Sequence, residues 1–566
     1  MISLGIGLAV MTVAYRGTAQ TLPSVTLSIV GTNDLHGYVF PSAGRGGLAL
    51  LGGYLKALRS VRAADGGAVL LLDAGDTFQG GIESNLSEGA LVVDAYNALG
   101  YAAAAIGNHE FDFGALDAFN PADSPDPRGA LKAIAARAVY PLLAANLIDD
   151  ATGHPVNWPN VSPSVMVEAA GLRIGIIGAM TVDALRATLA VNVHGLRMAP
   201  LAPVVASEAA ALRGRGADLV LLTIHAGGRC TQFSDPHDLS SCEPTSEIAR
   251  LVQDLPRGTL DGIVAGHTHA GIAHVVAGVP IIEAHWGGRA FGRMDLTVDR
   301  STRKVTGARL FPPQDLCAMV TAARDACTTE SAAGAIKAQY EGRTIEAAAD
   351  VVRAMEPALR QVRARQAVPL HVIVDTVIRR SPDLGAPLGN LFADAMRESV
   401  PGADVALNNN GLGGLRADLP VGPLTFGRLY DVFAFDNRLI ELTLTGAQLR
   451  TVIAEEVARV RPGALALSGM VVSVGCGSEH SKVWLTRTSG HPIGDAEKIR
   501  VVTSDMLAGG VVFAPAAPPG GFNVPVDAPL VREVVQEWLQ RRGGHLTEEQ
   551  FLDRGHPRWR HRACQD

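Results

Sequence analysis

The chain has 566 residues, of which 47% are hydrophobic and 19% charged, with a formal net charge of −7. Such a length exceeds one ordinary domain, and the composition is that of a globular chain rather than a disordered one. The acidic balance (pI near 6.2) offers no basic footprint, which argues against a nucleic acid polymer as partner.

The N-terminus, MISLGIGLAVMTVAYRGTAQTLPS, has an apolar core from Leu4 to Tyr15 followed by small residues. That length suits a secretory h-region and falls short of the ~20 residues of a spanning helix. Residues 1–24 are therefore read as a signal peptide, although the usual positive n-region is missing. A buried first strand or an uncleaved anchor is the alternative. No later segment offers a long uncharged apolar run, so no stable membrane span is expected in the mature chain. The cysteines agree with export. Cys230 and Cys242 lie twelve apart and Cys317 and Cys327 ten apart, both pairs in polar, loop-like surroundings. Neither has the spacing of a zinc knuckle or redox motif, so both are read as disulfides formed in the periplasm or outside the cell. Cys476 and Cys564 could pair or stay free.

From Val25 to about Arg300, short apolar runs alternate with helical patterns. VTLSIVGTND, AVLLLDAGD, AAAAIGNHE, RIGIIGAM, DLVLLTIHAGG and GIVAGHTH each read as a buried strand that stops abruptly in a polar or glycine-containing turn. Helical stretches such as GGLALLGGYLKALRSVRAA and LAPVVASEAAALRGRG lie between them. The alternation predicts an α/β layered domain whose ligand site gathers beyond the carboxyl ends of the strands. Residues 329–366 are rich in Ala, Glu and Arg and read as a helical connector. Residues 367–566 read as a second, α+β domain, with LGNLFADAMRESV a helix, NRLIELTLTGAQLRTVIAEEV a strand then a helix, and LSGMVVSV and KIRVVTSDM further strands.

The polar residues at the first domain's strand ends are Asp34 and His36, Asp76, Asn108 and His109, His225, and His267 and His269. Each alone has a bland reading, because Asp and Asn cap turns and a lone His is commonly a satisfied core residue. Together they place carboxylate, imidazole or amide groups at five strand ends, with glycine beside or near each. These donors suit divalent ions such as Zn or Mn. Such a set is too large for one four-coordinate ion, and it fits two ions ~3.5–4 Å apart sharing a carboxylate.

The ordered set D-x-H, G-D, G-N-H-E, lone His and G-H-T-H resembles the calcineurin-like metallophosphoesterases. GNHEFDFG together with a C-terminal domain resembles their 5′-nucleotidase and UDP-sugar hydrolase branch. The fold this implies is a four-layer α/β/β/α domain over residues 25–328 plus a smaller α+β substrate-binding domain. The resemblance implies one ion held by Asp34, His36, Asp76 and His269. The second would be held by Asp76, Asn108, His225 and His267, and an ion-bridging hydroxide would attack phosphorus. It makes His109 the stabiliser of developing charge and Asp112 its orienting partner, and leaves Glu110 a structural residue. The metal could be Zn, Mn, Fe or Co.

In the second domain the resemblance implies substrate contacts from Arg416 and Phe435, from Asn410 or its neighbour Asn409, and from Arg380 or Arg379. A core aromatic is the alternative for Phe435 and a surface ion pair for Arg416. The chain departs from the family at VVTSDMLAGGVVF, where Met506 replaces a second stacking Phe and Val511 a ribose-binding Asp. Phe513 is the candidate to slide into the vacant place. The expected activity is hydrolysis of 5′-nucleotides to nucleoside and phosphate, and of UDP-sugars. The alternatives are a cyclic phosphodiesterase, a non-nucleotide phosphoesterase, or a retired metal-containing binding protein. The last is disfavoured because every ligand and the His109–Asp112 pair are present. Oligomeric state is left open.

Overall fold

A computed structural model describes residues 23–116, 126–324, 326–381, 385–410, 414–459, 465–475, 482–525, 528–552, 555 and 557–561. The signal-peptide reading over 1–22 and the pairing of Cys476 and Cys564 lie outside these residues.

All six predicted strands of the first domain form, and their apolar runs explain why they sit between layers. One sheet has seven strands, with Ser24–Thr32 parallel to Ala68–Asp73 and antiparallel to Ala290–Asp299. The other has six, with Leu172–Met180, Leu219–His225, Gly262–Ala265 and Val279–Ala284 in parallel. The two sheets face each other across a core in which Leu27, Ile29, Leu70 and Leu72 of one meet Ile174, Ile176, Leu221 and Val264 of the other. Strands buried on both faces must be apolar throughout, which is why they read as runs rather than alternations. Gly31 allows the close approach, since a Cβ there would lie 2.5 Å from Val264. Helices Leu48–Asp65 and Ala90–Leu99 cover the outer face of the first sheet, and Leu201–Gly214 and Glu247–Asp254 that of the second. The result is the expected α/β/β/α sandwich.

The stretch read as a helical connector is helical only in its second half. The helix Ala349–Gln366 packs Val351, Met355 and Leu359 into the first domain's core. Before it, Gln339–Tyr340 and Arg343–Thr344 form a hairpin across Glu341 and Gly342, both at positive φ (49° and 72°). That is a two-residue turn of the kind Gly favours, and it overrides the helical composition around it.

The second domain is built on the four-stranded sheet of Leu439–Thr445, Lys498–Ser504, Val405–Asn409 and Leu465–Ser468. Helices Pro387–Ser399 and Val531–Arg542 contribute to one of its cores and Gly446–Arg459 to another. Disulfides join Cys230 to Cys242 and Cys317 to Cys327, as the spacing predicts. Among the described residues no helix is long and apolar enough to cross a membrane.

Candidate active site

The loops that follow the strands Ser24–Thr32, Ala68–Asp73, Ala103–Ala105, Leu219–His225 and Gly262–Ala265 converge at one end of the sandwich. There the seven sequence-predicted ligands come together. Asp34, His36 and His269 form one cluster of donor atoms, and Asp76, His225 and His267 a second. Asp76 lies between the clusters, its Oδ2 3.1 Å from His225 Nε2 and 3.9 Å from His36 Nε2. Asn108 joins the second cluster, its Oδ1 3.1 Å from His225 Nε2.

The donors fit a cation. Oδ1 of Asp34 is buried without a hydrogen-bond partner, while its Oδ2 accepts from Asn33 and from the His267 backbone. His36 and His225 turn Nδ1 to the carbonyls of Gln79 and Ala74 (3.0 and 2.9 Å), which leaves each Nε2 facing the cluster. Such outer bonds fix the tautomer and the ring plane of a ligating histidine. Burial holds the His36 pKa below its ordinary value, favouring the neutral ring that a ligand needs. Asp34, His36, Asp76, His267 and His269 all have positive φ, between 49° and 80°. That conformation is costly for non-glycine residues, and it concentrates where function demands a fixed geometry.

His109 stands beside these clusters, its ring centroid 5.3 Å from that of His36. Its Nδ1 is 2.5 Å from Asp112 Oδ2, and Thr188 in turn donates to Asp112 Oδ1 at 2.7 Å. Burial opposes a charge on His109, but the hydrogen bond and charge of Asp112, with Asp76 and Glu110 nearby, outweigh it. The pKa rises to about 9, so the ring is a cation at neutral pH with Nε2 left to donate.

Glu110 does more than its sequence context suggests. It is buried, and its carboxylate accepts from the backbone of Thr77 (2.6 Å), Asp76 (2.9 Å) and Gly107 (2.6 Å). It thereby ties the loop bearing Asp76 to the loop bearing Asn108 and His109. Burial, reinforced by the charge of Asp76, pushes its pKa up to about 7. Glu283 plays a similar part behind the last ligand loop, accepting from Thr268 Oγ1 at 2.6 Å and from the Gly228 backbone. The sequence signal is slight in both cases: Glu110 stands among the other polar residues of GNHEFDFG, and Glu283 is an acid at the end of an apolar run.

From the second domain, Arg416 reaches the rim of this site and donates to the Gly80 carbonyl at 3.3 Å. Its guanidinium lies 4.4 Å from the Phe435 ring centre, and Phe435 is half-buried against the second domain's core. These two sequence-predicted residues therefore meet. Beside them the domains touch through Asn85, which donates to Tyr430 Oη at 2.5 Å. Asn410 is buried and donates to the Arg380 backbone, while the Arg380 guanidinium donates to the Leu415 carbonyl. Arg379 is paired with Glu548. Met506 and Val511 are exposed, on a segment joined to the Phe435 loop by hydrogen bonds between Arg438 and Asp505. Phe513 does not slide into their place. It is fully buried in the core with Phe522, because its apolar ring has a better environment there than at the rim.

Residues 27–271 match the family model for calcineurin-like phosphoesterases, and residues 367–517 the model for the 5′-nucleotidase C-terminal domain. UshA of Escherichia coli (strain K12) is 24% identical over 576 residues, covering 95% of this chain and 96% of that protein. Endonuclease YhcR of Bacillus subtilis (strain 168) is 27% identical over 467 residues, covering 80% of this chain, which spans only 34% of YhcR. The crystal structure of a 5′-nucleotidase precursor from Thermus thermophilus shares the fold, with a TM-score of 0.58 at 22% identity. The match covers 96% of this chain and 100% of that one.

Proposed function

The chain belongs to the calcineurin-like phosphoesterases that carry a 5′-nucleotidase C-terminal domain, and from that premise we propose that it hydrolyses phosphate esters at a centre of two divalent ions. Nucleoside 5′-monophosphates are the first substrates proposed, giving nucleoside and phosphate, with UDP-sugars second. The observation that carries the reading is the convergence of seven donors into two clusters with Asp76 between them. Asp34, His36, Asp76 and His269 would hold one ion, and Asp76, Asn108, His225 and His267 the other. When bound, such ions neutralise phosphoryl charge and make water acidic enough to attack near neutral pH.

The protein's own groups supply the rest. His109 donates from Nε2 to the phosphoryl and leaving oxygens, held in place and in charge by Asp112. Arg416 adds a cation at the rim, and Phe435 offers one aromatic face to a base. Met506 covers a ring less well than Phe, and Val511 cannot accept a hydrogen bond from a sugar. These two residues favour a second reading, a phosphoesterase for small non-nucleotide esters. The two disulfides support an exported enzyme, and the net charge of −7 supports small substrates over nucleic acid polymers.

Assays of AMP, UDP-glucose, 2′,3′-cyclic AMP, an aryl phosphate and single-stranded DNA with added Mn²⁺ test this. AMP turnover is expected to be the fastest. Turnover of the aryl ester alone would replace the nucleotidase reading with the second one, and no turnover by the metallated protein would favour a binding role.

A further inference from the structure

Trp286 is the residue at the site that the proposed chemistry leaves without a task. It sits in the loop His285–Arg289, which is bound to both ligand loops of the first cluster. The Gly287 backbone donates to the Asp34 carbonyl (2.7 Å), Asn33 donates to the His285 carbonyl (2.6 Å), and the His285 backbone donates to the Ala270 carbonyl (2.8 Å). His285, Gly287 and Gly288 all have positive φ (60°, 70° and 59°). The chain is thus folded tightly enough to turn the intervening side chain back onto the site. The Trp286 indole lies stacked on the His269 imidazole, with ring centres 5.5 Å apart and planes 16° apart. Tyr38, two residues beyond His36, packs its ring edge-on to the same indole at 5.7 Å, and the Arg289 guanidinium lies 4.6 Å from the indole centre.

His269 needs such support more than its neighbours do. The side chains of Asp34, Asp76 and His225 are buried and that of His36 nearly so, the two imidazoles being held through Nδ1 by backbone carbonyls. The His269 side chain is 40% exposed, yet its Nε2 must stay where it is found, 3.0 Å from His36 Nε2 and 3.4 Å from Asp34 Oδ1. An exposed imidazole free to rotate about its side-chain bonds would lose part of its binding strength to ordering entropy. A stacked indole fixes the ring plane without taking up either nitrogen.

We propose that Trp286 is the positioning residue for His269, holding that ring for cation binding as backbone carbonyls hold His36 and His225. The inference rests on the two-ion reading, and the test separates the two. Full-length metal-free protein is titrated with Mn²⁺ by calorimetry for the wild type, Trp286→Ala and Trp286→Phe, with AMP hydrolysis measured across the same Mn²⁺ range. Loss of an outer support of a ligand typically weakens metal affinity roughly 10–100-fold. Trp286→Ala is expected to bind one of its two ions at least about 10-fold more weakly. Its half-maximal Mn²⁺ requirement rises in step, and kcat recovers at saturating Mn²⁺. Trp286→Phe, which keeps a stacking face, is expected to recover most of the affinity. Melting temperatures of the three metal-free proteins report any general loss of structure. Wild-type affinity for both ions in Trp286→Ala would overturn the proposal, as would a weakened ion that Trp286→Phe does not restore. A wild-type protein that binds fewer than two ions would overturn the two-ion reading instead.

Discussion

Replacing Glu110 by Gln tests whether its carboxylate holds the Asp76 loop to the loop of Asn108 and His109. The carboxylate accepts three backbone N–H bonds in a buried position, one on Oε1 from Thr77 and two on Oε2 from Asp76 and Gly107. An amide of the same shape keeps one accepting oxygen. Turned the better way, it retains the bonds from Asp76 and Gly107 and sets its NH₂ against the Thr77 N–H, which is left unsatisfied. A buried orphan donor costs about 1–3 kcal/mol, and the retained bonds also lose their charge assistance. In calorimetric unfolding of the metal-free protein, the first-domain transition should fall by roughly 2–6 °C. Mn²⁺ affinity should fall with it, because the backbone of Asp76 hangs from the same carboxylate. A variant that melts with the wild type and binds Mn²⁺ equally well would refute the claim that Glu110 ties these loops.

His109→Ala should lower kcat on AMP by roughly 10²-fold or more while leaving metal content unchanged; loss of one ion per chain would instead make His109 a ligand. Asp112→Asn removes the charge that keeps His109 protonated and should lower kcat in the same direction by a smaller factor, measured at fixed pH with saturating Mn²⁺. Phe435→Ala should raise KM for AMP while leaving KM for an aryl phosphate nearly unchanged, and an equal rise for both would argue against base contact. Replacing Cys230 and Cys242 together by Ser opens a short loop and should destabilise the first domain by roughly 2–4 kcal/mol, read as a lower melting temperature under oxidising conditions.

Much of the first domain is legible in the sequence because its architecture imposes a pattern there. Strands buried between two sheets must be apolar, and they end where the clustered Asp, Asn and His residues stand, so each strand end carries its own signal. Asp34, Asp76, Asn108, His225 and His267 are readable as five such ends, and the clusters in space follow that reading. Residues 336–344 mislead because Ala, Glu and Arg suit a helix, whereas the Glu341–Gly342 turn, a two-residue signal, decides the local fold. Glu110 is hard to value for a different reason. An acid that bonds only backbone groups leaves no pattern in the residues it serves. The pairing of Trp286 with His269 depends on how two loops meet in space, and no periodicity encodes it. Between Met506 and Phe513 the sequence offers two occupants for one place, and burial of the larger ring chooses between them.

The proposed hydrolysis of phosphoesters depends on Asp76 being shared by two ions. Its most direct test is the metal content per chain of wild-type protein and Asp76→Ala, each reconstituted with Mn²⁺, dialysed and assayed on AMP. Two ions and turnover are expected in the wild type, with both ions and the turnover lost in Asp76→Ala. Two ions at full occupancy in the variant would contradict it.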